Sequence, residues 1–117
     1  DASLILEKAD RRNAAIYLAG YAVECMLKCM MLMETPANQR PVLFRSFRGN
    51  RGHDLAFLRD QLVQKTAKIP GRIERDIAFV SSWSTDMRYE PSSRSYDEAD
   101  RFIQATRHIL AWANERL

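Results

Sequence analysis

Apolar positions run almost without a break from Ala14 to Met33. A run of that length predicts a helix buried nearly all round, ending before Pro36 because a proline pushes the residue ahead of it out of the helical region. Two charges interrupt the run, Glu24 and Lys28, one helical turn apart. Ahead of it, Leu4, Ile5, Leu6 and Ala9 predict a short amphipathic helix over 2–11, and Asn13 can cap a new helix after a break near Arg11–Asn13. Gly20 removes a side chain where a neighbouring helix can approach closely. Leu55, Leu58, Leu62 and Ile69 recur at helical spacing and predict a helix from Asp54 to Lys68, closed by Pro70–Gly71. Ile73, Ile77, Val80 and Trp83 share one face of a further helix from Arg72 to about Asp86.

The clearest helix start is Ser95-Tyr-Asp-Glu98, a capping box. The helix it opens presents Ala99, Phe102, Ile103, Thr106, Leu110, Ala113 and Leu117 as one stripe. Residues 35–52 read as a loop with a short helical turn at 42–47, and 87–94 as a second loop. The expectation is an all-α bundle of four main helices plus a short N-terminal one, in a single domain spanning 1–117.

Composition narrows the class. Hydrophobic residues make up 46% and charged residues 28%, which excludes wholesale disorder. Cys25 and Cys29 stand i,i+4 in the apolar run, a poor geometry for a disulfide, so both read as reduced, buried thiols of a cytoplasmic protein. No further Cys or His cluster completes a metal site with them. The run is long enough to span a bilayer, but Glu24 and Lys28 near its middle would each cost roughly 2.5–3.5 kcal/mol there. With no signal-peptide pattern in view, a soluble core helix away from any membrane is expected. Met30, Met31 and Met33 read as core or dimer packing. The net charge of +3 is mild, but its distribution is not. Arg40, Arg45, Arg48 and Arg51 fall between Pro36 and His53 with no acidic residue among them, and Phe44 and Phe47 are interleaved.

Four segments together resemble the HEPN domain (higher eukaryotes and prokaryotes nucleotide-binding). They are Tyr17-Leu-Ala-Gly-Tyr-Ala-Val-Glu-Cys-Met-Leu-Lys28, Gly52-His-Asp-Leu55, the pair Arg88–Tyr89 and Leu110-Ala-Trp112, and in order and spacing they span nearly the whole chain. The resemblance implies a small antiparallel, up-and-down α-bundle that usually forms a homodimer. Many members are metal-independent endoribonucleases, often toxins paired with a nucleotidyltransferase-like antitoxin encoded beside them. Others bind nucleotides or partner proteins without catalysis, and fold does not choose between these. The family's catalytic signature is an Arg followed by four to six residues and a His. Arg48 with His53 fits it, and so does Arg101 with His108. The catalytic version carries a polar residue directly after the Arg, where this chain has Gly49 and Phe102.

Metal-free RNA cleavage needs a group to take the 2′-hydroxyl proton and a cation to hold the phosphate charge. A histidine, titrating near pH ~6.5 in water, supplies the first, and an arginine fork the second. His53 with Arg48 or Arg51 can supply both, with no cofactor and no metal; in a symmetric dimer two such loops can share one cleft. His53 also reads as a helix-start residue bonded to nearby backbone. Glu24 and Lys28 form at least a helix pair worth about 0.2–0.5 kcal/mol if exposed. The resemblance turns Glu24 toward Arg88, Tyr89 or His53 in a shared polar centre. Asp54 reads as an N-cap or as the group orienting His53.

Arg101 and His108 share a face of the last helix with Gln104 and Trp112, opposite the apolar stripe. That face reads as solvated, or through Trp112 as a dimer or partner surface. Alternating Arg and Phe around Arg45 and Arg51 suits single-stranded RNA, with strong salt dependence.

Overall fold

The computed structural model describes residues 2–49, 54–65, 68–89 and 96–117; at 6, 9, 10, 65, 83–89 and 96 only the backbone is described. Every regular element among them is helical. In order they are α1 (Ala2–Met33), a single 3-10 turn (Ala37–Gln39), α2 (Arg40–Ser46), α3 (Leu55–Lys65), α4 (Gly71–Tyr89) and α5 (Tyr96–Arg116).

The break expected near Asn13 does not occur, and the short leading helix is the first third of α1. An Asn cap contributes about 1 kcal/mol. Interrupting the helix would instead create two new ends with orphan amides and carbonyls, and Ala14 and Ala15 favour continuation. The far end of α1 is closed by side chains. Thr35 Oγ1 donates to the Met31 carbonyl at 2.7 Å, and Arg40 Nε donates to the carbonyls of Leu32 and Thr35 at 2.9 and 3.0 Å. Two carbonyls from the last turn of α1 and one just beyond it thereby gain donors, and Pro36 prevents further winding. The short α2 follows at once, slightly earlier than the turn expected over 42–47.

Asp54 caps α3: its Oδ1 accepts from the Phe57 amide at 3.2 Å, and its carbonyl accepts from Leu58 at 3.0 Å. The helix ends at Lys65 rather than Lys68, so Ile69 packs against the core from outside it. Gly71 starts α4 instead of closing α3, since the Pro70 carbonyl accepts from Ile73 and Glu74. α4 also runs three residues beyond the expected end, placing Arg88 and Tyr89 in its last turn and not in a loop. Ser95, the proposed cap of α5, lies outside the described residues.

α1 packs on α3, α4 and α5, and α4 packs on α3 and α5. One core results, with Val23 and Leu27 from α1, Leu58 and Leu62 from α3, Ile77 and Val80 from α4, and Phe102 and Ile109 from α5, all fully buried. The buried band on α5 is wider than the expected stripe. Ala105, Ile109 and Trp112 are buried, while Ile103 and Leu110 are half-exposed and Leu117 is exposed. The reason is that α5 faces two neighbours, α1 and α4, and must bury a side toward each.

α1 is not buried all round. Ile16, Val23, Leu27, Met30 and Met31 face the core, whereas Tyr17, Leu18, Tyr21, Cys25, Cys29 and Met33 are exposed. Cys25 and Cys29 are free, as expected, but not buried, because none of the described helices covers their side of α1.

Candidate functional site

The Glu24–Lys28 pair forms, with Lys28 Nζ 3.0 Å from Glu24 Oε2. Both are more enclosed than an ordinary surface pair: their side chains are only 8% and 18% exposed. The Lys28 ammonium also sits 5.4 Å from the centre of the Phe47 ring, a cation–π contact that ties α1 to the segment after α2. Lys28 is thus engaged on two sides by the fold. Of the basic loop, Arg40 is occupied in closing α1, while Arg45 and Arg48 project to solvent beside the exposed Phe44. The chain turns away at Gly49, whose φ of 98° favours glycine.

Arg51 and His53 lie outside the described residues, as do the side chains of Arg88 and Tyr89. Of the polar centre expected from Glu24, His53, Asp54 and Arg88, Glu24 and Asp54 are described, whereas His53 and the Arg88 side chain are not. Asp54 is a helix cap by its hydrogen bonds.

The other candidate pair, Arg101 and His108, is brought together in a cleft. α4 and α5 lie side by side and form an open cleft of about 570 Å³. Arg72, Arg75, Asp76 and Phe79 line it from α4; Arg101, Gln104, His108, Trp112 and Glu115 line it from α5. His108 Nδ1 lies 3.3 Å from Asp76 Oδ2, an ion pair when the imidazole is protonated and an orienting contact when it is neutral. The imidazole remains open to solvent, with its side chain 62% exposed.

The Arg101 guanidinium lies over Phe79, 4.4 Å from the ring centre, and Arg116 lies 5.3 Å from that of Trp112. A guanidinium stacked on a ring keeps its in-plane N–H groups available to an anion. The cleft thus combines an oriented imidazole, an arginine on an aromatic platform and two further arginines opposite, against the two carboxylates of Asp76 and Glu115.

Trp112 is the correction here. The sequence places it on a solvated face, but it is 8% exposed, because α4 covers that side of α5. Four lining residues of α4, Arg72, Arg75, Asp76 and Phe79, belong to no motif in the sequence. Their spacing of three, one and three residues marks one helical face, and that signal was present. What the sequence lacks is any sign that this face meets the Arg101–His108 face of α5.

Among the described residues, no group of three or more His, Cys, Asp or Glu side chains is arranged to hold a metal ion. One helical stretch among them, Arg11–Met33, is long and apolar enough to cross a membrane by length and composition, although its core-facing side is buried in the bundle. Comparison of the chain with protein-family models, curated proteins and solved structures returns no match.

Proposed function

We propose that the chain is a HEPN-like domain that acts on RNA, its four long helices forming an antiparallel up-and-down bundle with the working cleft between α4 and α5. The observation that carries this reading is the convergence of Arg101 and His108 on one cleft, with Asp76 3.3 Å from the imidazole. In this reading His108 takes or returns the 2′-hydroxyl proton while Asp76 fixes its orientation. Arg101 holds the phosphate from its seat on Phe79, and Arg72 and Arg75 draw the backbone toward the cleft. The scheme matches a metal-independent endoribonuclease, of the kind that serves as a toxin beside a nucleotidyltransferase-like antitoxin.

One observation favours a second reading, a noncatalytic nucleotide-binding or interaction module. Arg101 and His108 each already have a partner in the fold, Phe79 and Asp76. A single experiment separates the two. Labelled single-stranded RNA is incubated in a metal chelator with wild type and with His108→Ala, Arg101→Ala and His53→Ala. Catalysis at this cleft predicts turnover that falls roughly 100-fold or more in His108→Ala and persists in His53→Ala. Binding that weakens in Arg101→Ala without turnover in any variant selects the noncatalytic module. Equal turnover in wild type and His108→Ala removes the catalytic assignment of this cleft.

A further inference from the structure

Cys25 and Cys29 are both free and both exposed, one helical turn apart on the same side of α1. Met33 stands one turn further along and is 60% exposed. Each step of four residues advances about 40° beyond a full turn, so the three sulfur side chains keep within roughly 80° of arc. Side chains on a helix lean toward its N-terminus, which carries the Met33 thioether back over the turn that holds Cys29. Met30 and Met31 are buried instead, so the exposed sulfurs form a row separate from those of the core.

The spacing decides what this row can hold. Cβ atoms four residues apart in a helix are about 5–6 Å from each other. A disulfide needs them at roughly 3.5–4.5 Å, so the two thiols do not close on each other while the helix stays regular. An ion held between two thiolates, with bonds of about 2.3 Å each, instead sets the sulfurs up to ~4.6 Å apart. That separation is within reach of side chains on adjacent turns. The donors also select the ion. A zinc site takes four ligands, and among the described residues no carboxylate or imidazole joins the two thiols in a group of three. Two thiolates with a thioether beside them are soft donors, and soft donors of these two kinds select copper(I).

We propose that Cys25, Cys29 and Met33 form a binding site for one copper(I) ion on the exposed side of α1. Both thiols release their protons on binding, so two thiolate charges and one cationic charge leave the complex with a single negative charge, and no electron is transferred. Cys25 and Cys29 supply the two main bonds, and Met33 covers the ion from the next turn. None of the three lines the α4–α5 cleft, so the site is separate from the RNA reading.

The test titrates the full chain anaerobically, under ascorbate, with copper(I) held by the chromophoric chelator bicinchoninate, and with zinc in parallel. Wild type should withdraw one copper(I) per 13.6 kDa chain, and its melting temperature should rise as it does so. Cys25→Ser and Cys29→Ser alter exposed positions and should keep the helical circular dichroism. Each should bind more than about 100-fold more weakly, beyond what the loss of a group that merely supports a ligand costs. Met33→Leu keeps the size of the side chain and should weaken binding by a smaller factor. Ala14→Cys combined with Cys29→Ser retains two exposed positions bearing thiols but parts them by about three turns, and should bind as poorly as Cys29→Ser alone. Copper left on the chelator by wild type, one ion per two chains, or tighter retention of zinc than of copper(I) would each overturn the proposal. So would full affinity in a serine or leucine variant, or binding restored by the relocated thiol.

Discussion

Thr106 sits on α5 at 3% exposure, and its hydroxyl has no hydrogen-bond partner among the described residues. Replacing it by valine keeps the branched shape and nearly the same helix propensity while removing the stranded polar atom. A hydroxyl buried without a partner costs about 1–3 kcal/mol by mutational measures. Taking the lower end, because the site is adapted to oxygen and a methyl is slightly larger, Thr106→Val should stabilise the fold by about 1 kcal/mol. For a chain of this size that corresponds to a rise of roughly 3–6 °C in melting temperature. The assay is urea unfolding followed by circular dichroism at fixed protein concentration, where the midpoint should rise with no change in slope. Thr106→Ala serves as the control: it removes the hydroxyl but also a buried methyl, and should gain less or lose stability. If Thr106→Val instead destabilises the protein by 1 kcal/mol or more, the hydroxyl has a partner and the reasoning fails.

Other outcomes follow from the same geometry. Phe102→Ala removes a fully buried ring at the centre of the core and should cost about 3–5 kcal/mol, read as a large fall in the urea midpoint by circular dichroism. Arg40→Ala removes the side-chain donor to the Thr35 carbonyl and one of two donors to the Leu32 carbonyl, which keeps the Thr35 amide, and should cost about 1–2 kcal/mol in urea unfolding. Arg40→Lys should recover only part of this, because a lysine does not reproduce the position of the Nε donor. Asp54→Ala removes the cap of α3 and should cost about 1 kcal/mol, whereas Asp54→Asn should cost less than half of that. If Asp54→Ala leaves unfolding unchanged but alters RNA binding, the residue belongs to a site rather than a cap.

What the amino-acid pattern determines by itself is the all-helical class, the course of α3, α4 and α5 to within a few residues, and most of their inward residues. Leu55, Leu58 and Leu62 of α3 and Ile73, Ile77 and Val80 of α4 are core residues, as their three- and four-residue spacing indicates. The cap at Asp54 and the Glu24–Lys28 pair are local interactions, and local spacing suffices to foresee them.

Tertiary structure alone decides which side of α1 is covered. A helix apolar on nearly every side carries little directional signal, so Cys25, Tyr21 and Leu18 look as inward as Val23 and Leu27 until the neighbouring helices are in place. The same limit applies to α5, where contact with both α1 and α4 buries Trp112 and widens the inward band beyond one stripe. The Asp76–His108 contact joins residues 32 positions apart on two helices. Periodicity orders side chains around one helix axis, but only packing determines which faces of two helices meet.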